Sequence, residues 1–322
     1  MSVLAIIGAA IAALVLGGFV YLTNMPDAQP LSRPPALDAE GLRRHVEMLA
    51  QTIGGRSAGK YRSLQSAADY GEDQLKSFGY TTARQSYTVD SLTFQNIEGE
   101  RQGYARPEEI VVIGAHYDTA GGLPGANDNA SGVAATLELA RLHASKQHKR
   151  TIRYVLFANE EPPYFQSDAM GSLVYAKRCR ERNEKIVAML SLETIGYYSD
   201  EPGSQKYPIG FHPGYPNTGN FLGFVSDIRS VALLRRVVKH FRSGTNLPAQ
   251  GAAAPSGIPG VGWSDHWSFW QHGYKAVMVT DTAPYRYPYY HTAQDTPDKL
   301  DYTRMAQALA GLSAALDHLA DR

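Results

Sequence analysis

One stretch, residues 110–129, constrains the fold more than any other part of this chain. It begins as an unbroken apolar run, the pattern of a strand buried on both faces, and it ends by delivering His116 and Asp118. Glycines in the following loop permit a tight reversal, so Asp128 can return toward His116 just as a helix begins. An imidazole and a carboxylate would then face one point beyond the strand end, and this arrangement predicts a metal site.

Strand and helix patterns alternate along most of the chain. Helical periodicity opens the domain twice, recurs after Ser131 and returns at the C-terminus. This order predicts an α/β fold with a mainly parallel (mixed) central sheet and helices on both faces. Further strands are predicted within 87–98 and at 151–158, 185–192 and 276–280, whereas 207–224 is interpreted as a Gly/Pro/aromatic segment and 244–264 as a long loop.

The first residues form a separate apolar segment. Residues 3–22 contain no charge and no Pro, Asn or Gln. This segment is long enough to cross a bilayer as a helix. A cleaved signal peptide is the alternative, but its usual basic start and small-residue cleavage site are not clear. We therefore expect a transmembrane anchor or signal segment at 1–23, a Pro-rich linker at 24–37 and the functional domain at 38–322. That domain is expected outside the cytoplasm, membrane-anchored or exported after cleavage, with its membrane orientation left open.

Composition excludes some functions. Lys plus Arg and Asp plus Glu number 31 each, so the chain lacks the basic surplus of nucleic-acid-binding proteins. Cys179 is the only cysteine, which excludes an internal disulfide or a thiolate metal cluster and favours a structural role for it. Residues 55–59 match the serine-hydrolase motif GxSxG, but a helical pattern precedes them instead of the strand which that motif requires. We interpret the match as chance.

Residues able to bind a metal follow several of the predicted strands. Ligands of open α/β sheets bind beyond the carboxyl ends of strands, so these residues are expected to converge. Two imidazoles with three carboxylates suit a pair of zinc ions, one carboxylate bridging them. Adjacent glutamates diverge from an extended chain, so one should bind metal while the other faces the shared water as general base. The set is His116, Asp128, Glu160, Glu161, Glu193 and His291.

Five short segments carry a resemblance to a known family. Together they are similar to the motifs of co-catalytic di-zinc aminopeptidases, which include secreted bacterial leucine aminopeptidases and have glutamate carboxypeptidases and glutaminyl cyclases as relatives. The similarity extends from about residue 41 to the C-terminus. The segments are AlaHisTyrAspThr at 115–119, AsnAspAsnAlaSerGly at 127–132, AsnGluGlu at 159–161, LeuGluThrIleGly at 192–196 and TyrHisThrAlaGlnAspThr at 290–296.

The resemblance implies how the ligands are divided between the two ions. Asp128 would bridge both ions, His116 and Glu193 would complete one zinc site, and Glu161 and His291 would complete the other. Glu193 stands where many secreted members have Asp, which leaves its reach and binding mode open.

The resemblance also implies roles around the metals. Glu160 would be the general base, and Asp118 would orient a ligand imidazole. Tyr290 occupies the place of a tyrosine that donates to the developing oxyanion in some members. The peptide bond between Asp128 and Asn129 is expected to be cis. The segment 160–172 is longer than in compact members and is expected to form a loop over the pocket.

The sequence near residue 265 suggests a pocket wall. Trp263, Asp265 and His266 are expected to contact substrate or to support a metal ligand, because a similar SerAspHis lines the pocket in the family. The remaining helix-associated histidines have no ligand-type partner pattern, so they are interpreted as solvated or interfacial. They are His45, His143, His148, His240 and His318.

These residues predict a zinc-dependent exopeptidase, with two Zn²⁺ per chain, that removes N-terminal residues from peptides with a free N-terminus. Three alternatives stay open: a glutaminyl-cyclase-like transferase, a carboxypeptidase and a non-catalytic membrane-tethered binding ectodomain. The complete ligand set argues against the first and the last. Arg286 is one candidate to bind the substrate carboxylate of a carboxypeptidase.

Overall fold

The structure, a computed structural model, describes residues 21–29, 37–208 and 214–322. Its described strands are β1 (Thr81–Val89), β2 (Leu92–Arg101), β3 (Arg106–His116), β4 (Arg150–Phe157), β5 (Lys185–Glu193), β6 (Leu222–Ser226), β7 (Ala249–Ala253) and β8 (Ala276–Thr280). They form one eight-stranded sheet in the order β1-β2-β4-β3-β5-β8-β6-β7. The neighbours β4-β3-β5-β8 run parallel, and β1-β2-β4 and β8-β6 are antiparallel pairs, so the predicted mixed sheet is confirmed.

Helices cover both faces of this sheet. The described α-helices are α1 (Ala39–Glu47), α2 (Tyr61–Ser77), α3 (Gly132–His143), α4 (Gly171–Glu181), α5 (Val231–Gly244), α6 (His266–Gln271), α7 (Ala283–Arg286) and α8 (Tyr302–Asp321). Alternate residues of β3 belong to opposite cores. Val111 and Ile113 pack with α1, α3 and α8, whereas Ile110 and Val112 pack with α4 and α6. The apolar run at 110–115 is therefore part of a strand buried on both faces.

Two short strands were missed by the sequence interpretation. β6 lies at the end of the segment interpreted as Gly/Pro/aromatic, and β7 lies inside the predicted loop 244–264. The sequence of β7, AlaGlnGlyAlaAla, lacks the β-branched and aromatic residues that mark strands. Pairing with β6 and burial of its small side chains decide its conformation instead. A pattern of one strand alone could not reveal this.

The predicted membrane segment lies almost entirely outside the described residues. Within the described parts of the chain, no helix is both long and apolar enough to span a membrane. The described part of the Pro-rich linker packs on α5. Arg235 donates to the carbonyls of Tyr21 and Asn24, and Arg242 donates to those of Met25 and Pro26. This beginning of the linker is therefore attached to the domain surface.

The topology brings the ends of three neighbouring strands to one edge. β3 ends at His116 and β5 ends at Glu193, while Glu160 follows the end of β4 by three residues. Because these strands are parallel, their carboxyl ends lie side by side, which is where α/β sheets bind ligands.

Cys179 is buried on α4, and this burial raises the pKa of its thiol to about 12, as expected of a structural cysteine.

Candidate metal centre

A glycine turn returns Asp128 to the strand edge. Gly125 has φ +58, and a Cβ there would lie 2.2 Å from the carbonyl oxygen of Asp128, so only glycine fits. The backbone N–H groups of Asn127 and Asp128 donate to the carboxylate of Asp295 at 2.8 and 3.1 Å. The Asp128–Asn129 peptide bond is cis, as the resemblance implies. These contacts fix the backbone from which the Asp128 carboxylate projects.

Asp128 lies between two groups of possible ligands. Its Oδ1 lies 3.3 Å from Nε2 of His116, and that nitrogen lies 3.2 Å from Oε2 of Glu193. Its Oδ2 lies 3.0 Å from Nε2 of His291, which in turn lies 3.3 Å from Oε1 of Glu161. Each oxygen of the Asp128 carboxylate therefore faces a different pair of residues. With Asp128, each pair makes a group of three whose ligand atoms lie within 4.8 Å of one another.

Some of the nitrogen and oxygen atoms of this site have no hydrogen-bond partner and could instead bind a cation. Nδ1 of His116 lies 3.2 Å from the carbonyl oxygen of Asp118, so it carries the hydrogen and leaves a lone pair on Nε2. That Nε2 and Oε1 of Glu161 are buried without a hydrogen-bond partner among the described residues. Buried polar atoms normally have partners, and a set of imidazole nitrogens and carboxylate oxygens is a zinc donor set. The residues present therefore fit zinc.

The pKa values of two residues in the site show that its carboxylates attract positive charge. Burial lowers the pKa of His291, but its hydrogen bonds with Asp128 and Glu161 overcome that effect and raise it to about 10. For Glu161, burial disfavours the charged carboxylate and raises its pKa to about 7. Both shifts bring protons into a site crowded with carboxylates. A metal would displace those protons, so its affinity should rise with pH in this range.

Asp118 holds the two glutamates of the site by their backbone. Its Oδ1 accepts from the N–H of Glu160 and its Oδ2 from the N–H of Glu161, each at 3.0 Å. Its carboxylate is 3.5 Å from Nδ1 of His116, so the hydrogen bond that orients the imidazole goes to its backbone carbonyl instead. Glu160 is buried, with Oε2 3.9 Å from Nε2 of His116. One carboxylate thus fixes the position of the predicted base and of a predicted ligand.

The SerAspHis segment lies behind the ligands, not on the cleft surface. Ser264 donates to Oε2 of Glu193 at 2.7 Å and supports that ligand. Asp265 and His266 are fully buried, and the ring of His266 donates from Nε2 to the carbonyl of Val261. Burial lowers the pKa of His266 to about 4, so the ring is neutral. Direct substrate contact by Asp265 or His266 does not fit this placement, which leaves them the supporting role.

An apolar cleft opens beside the ligands. It encloses about 830 Å³, including the part open to solvent, and Glu193 and Tyr290 lie on its wall. Trp263, 44% exposed, also lines it and so is the member of its predicted group that substrate can reach. The ring of Tyr290 stacks on His291 with centroids 3.9 Å apart. Other lining residues include Phe221, Phe224, Val225, Val261, Met278 and Tyr285.

Arg56 is a residue that the sequence interpretation passed over. Its fully buried guanidinium donates to five backbone carbonyls, those of Leu49, Gly54, Tyr117, Pro124 and Gly125. These bonds join the end of β3 to the glycine turn that precedes Asp128. Burial lowers its pKa to about 10, although Asp118, Asp295 and Asp128 oppose that shift. Arg56 lies inside the chance GxSxG match, and one sequence alone carries no signal that it is buried.

Comparison with known proteins shows the family to which the chain belongs. Residues 96–316 match the family described as Peptidase family M28. Uncharacterized protein YfbL of Escherichia coli (strain K12) is 39% identical over 297 residues, which cover 88% of this chain and 90% of that protein. Several other curated relatives are longer, and the chain spans about half of their length or less.

Solved structures share the fold. BSAP, a zinc aminopeptidase from Bacillus subtilis, aligns with a TM-score of 0.71 at 16% identity, over 90% of this chain and 97% of that one. A glutaminyl cyclase from Fimbriiglobus ruber aligns with a TM-score of 0.65 at 18% identity, over 91% and 99% of the two chains. At these identities the likeness shows the fold, and both activities occur on it.

Proposed function

We propose that this chain, which belongs to peptidase family M28, is a zinc aminopeptidase that hydrolyses the first peptide bond of peptides with a free N-terminus. The observation that supports this most is the placement of Asp128, whose two carboxylate oxygens face different groups of ligands. His116, Asp128 and Glu193 would hold one zinc ion, and Asp128, Glu161 and His291 would hold a second. Bound zinc would polarise the scissile carbonyl and lower the pKa of the attacking water toward neutrality.

Glu160 would move the proton. Its carboxylate would accept the proton of the attacking water and then donate it to the nitrogen of the leaving amine. This step needs a base held in a fixed position. The backbone N–H of Glu160 donates to the carboxylate of Asp118, and this hydrogen bond restrains the base. Burial of Glu160 excludes bulk water that would compete for the same carboxylate.

Tyr290 and the cleft would act on the substrate. The phenol of Tyr290 would donate a hydrogen bond to the oxyanion that develops on the carbonyl. Burial raises the pKa of this phenol, so it keeps its proton at neutral pH. The apolar wall beside Trp263 and Met278 fits a bulky hydrophobic N-terminal side chain.

A panel of aminoacyl chromogenic substrates tests the proposal. Leu and Phe derivatives should be cleaved faster than Ala or Glu derivatives, and activity should disappear on chelation and return with zinc. Activity that persists after chelation would contradict the metal mechanism.

A variant pair tests the base. Glu160→Gln should keep its zinc content and lose about 10²-fold or more in kcat. The exposed Glu201→Gln, which carries the same chemical change away from the site, should match the wild type. An unchanged rate in Glu160→Gln would mean that another group is the base.

The same assay separates the related reactions. A glutaminyl cyclase would convert an N-terminal glutaminyl peptide to a pyroglutamyl peptide without releasing glutamine, and a carboxypeptidase would cleave an N-acetylated peptide. Arg286 does not favour a carboxypeptidase, because it is buried and donates to Gln205 and to the carbonyl of Phe221. We expect release of the free N-terminal residue and no cleavage of the acetylated peptide.

Location stays a proposal that rests on residues 3–22 alone. An anchored domain outside the cytoplasm would stay with the membrane fraction after alkaline carbonate extraction and would be digested by protease added to intact cells stripped of outer barriers. A cleaved signal would instead give a shorter, soluble exported chain. Recovery of the full-length chain in the cytosol would contradict both.

A further inference from the structure

A second cluster of histidines lies at the far end of the helix that follows Asp128. α3 has 12 residues, so its last residue, His143, lies about 16 Å from its first. His148 follows in the connection to β4, and Asp317 projects from α8. His143 and His148 are buried, which corrects the prediction that they are solvated or interfacial. The two histidines are therefore internal, and the cluster is remote from the candidate active site.

The three side chains present their donor atoms to one point. Nδ1 of His143 lies 3.2 Å from Nε2 of His148. Oδ1 of Asp317 lies 3.7 Å from the first nitrogen and 3.9 Å from the second. Ligands on a tetrahedral zinc ion, at about 2.0–2.1 Å from the metal, are separated by roughly 3.3 Å. The two imidazoles already have this separation, and the carboxylate needs to move by about half an ångström.

Both outer ring nitrogens have the partners that metal-bound histidines require. Oγ of Ser313 lies 2.9 Å from Nε2 of His143, and Oδ2 of Asp321 lies 3.2 Å from Nδ1 of His148. A carboxylate accepts, so Nδ1 of His148 carries the hydrogen and its Nε2 has a lone pair. Such outer partners orient ligand imidazoles and fix their tautomers. The cluster thus has its supporting contacts as well as its donors.

We propose that His143, His148 and Asp317 bind a divalent transition-metal ion outside the catalytic centre, and that this ion fastens α8 to the connection between α3 and β4. In the metal-free chain, one hydrogen on Nδ1 of His143 fills the space between the two rings. On binding, that hydrogen moves to Nε2 and is donated to Ser313, so no net proton is released. Water completes the coordination on the open side, where Asp317 is 39% exposed.

Neutral imidazoles favour this binding, whereas one neighbouring cation opposes it. Burial, followed by the charges of Lys146 and His148, lowers the pKa of His143 to about 3, so its ring is neutral at physiological pH. Nζ of Lys146 lies 2.8 and 2.9 Å from the two oxygens of Asp317. An incoming ion must share Asp317 with this ammonium. Removing the ammonium should therefore tighten metal binding, which gives the proposal a gain-of-affinity test.

The experiment counts zinc in the full-length protein after the catalytic centre has been loaded. Wild type, His148→Asn and His240→Asn are dialysed against buffered Zn²⁺, and bound zinc is measured by mass spectrometry and titration calorimetry. His240 stacks on His318 and is not one of the three proposed ligands, so its variant is the matched loss of one histidine. We expect the wild type and His240→Asn to hold one zinc more per chain than His148→Asn, with equal peptidase activity in all three.

Two further variants keep the test decisive if His148→Asn folds poorly. Lys146 and Asp317 are both more than a third exposed, so their substitution should leave folding intact. Lys146→Met should bind the additional zinc at least about tenfold more tightly, since a nearby positive charge has been removed, and Asp317→Asn should bind it more weakly. Equal zinc content in wild type and His148→Asn, or an affinity unchanged by Lys146→Met, would show that the cluster is only a hydrogen-bonded histidine pair.

Discussion

Replacing Arg56 by Met should destabilise the metal-free protein by about 3 kcal/mol. Two of its five acceptors keep a second donor, because the carbonyl of Leu49 also accepts from Gly54 and that of Gly125 also accepts from Ala130. The carbonyls of Gly54, Tyr117 and Pro124 lose the guanidinium bond, at about 1 kcal/mol for each bond. Met preserves the apolar stem, so the loss reports the hydrogen bonds more than the packing.

Urea unfolding followed by circular dichroism, with chelator present, measures this change from the midpoint at constant slope. Arg229→Met is the matched control, because Arg229 is 72% exposed and pairs with Asp227 at the surface; its effect should stay within about 0.5 kcal/mol. Arg56→Lys should fall between the two, since an ammonium reaches fewer of these carbonyls than the planar guanidinium does. A loss below about 1 kcal/mol for Arg56→Met would refute the view that this residue holds the turn before Asp128.

Three further predictions concern the turn, the base and a buried ion pair. Gly125→Ala should lower stability by more than about 2 kcal/mol and reduce bound zinc, because the added Cβ would also lie 2.3 Å from Cγ2 of Thr119. Gly121→Ala is the control: Gly121 has φ +53, and an added Cβ there would have no atom within 4 Å. It should cost only about 1 kcal/mol in the same urea assay. Asp118→Asn should lower kcat about 10- to 100-fold with little change in KM, because an amide replaces one of the two acceptors that hold Glu160 and Glu161; an unchanged kcat would contradict that role. Burial raises the pKa of Glu138, but hydrogen bonds with His45 and Arg141 outweigh this and lower it from 4.5 to about 2, so its contribution is present above pH 4.5 and is lost as the pH falls through 2. Between those pH values the wild type should lose roughly 2 kcal/mol more stability than Glu138→Gln, a figure reduced for solvent screening because Arg141 is half-exposed. Parallel plots of stability against pH for the two proteins would contradict the lowered pKa of Glu138.

The centre of the sheet could be predicted because its chemistry is local in sequence. An apolar run reports a buried strand, and the polar residues that follow it must lie at the strand end. For His116, Glu160 and Glu193 this was sufficient, since parallel strands bring their ends together. His291 lies eleven residues beyond the end of β8, so its position depends on the fold of a loop and rested on the resemblance.

Other features depend on contacts between distant segments. β7 is a strand because β6 pairs with it, and its own residues carry almost no strand preference. Arg56 is buried because five carbonyls from separate segments surround it. His143 and His148 are buried because α8 covers them, and a helical pattern alone placed them at the surface. Asp265 lies behind Glu193 for a similar reason, although its segment correctly marked the wall of the cleft.

We propose that one carboxylate, that of Asp128, joins two metal sites. Crystals of the zinc-loaded protein measured at the zinc absorption edge test it directly. We expect two anomalous peaks about 3.5 to 4 Å apart on either side of Asp128, one beside His116 and Glu193 and the other beside Glu161 and His291. A single peak in this region, or peaks that Asp128 does not touch, would rule out a bridging role for Asp128.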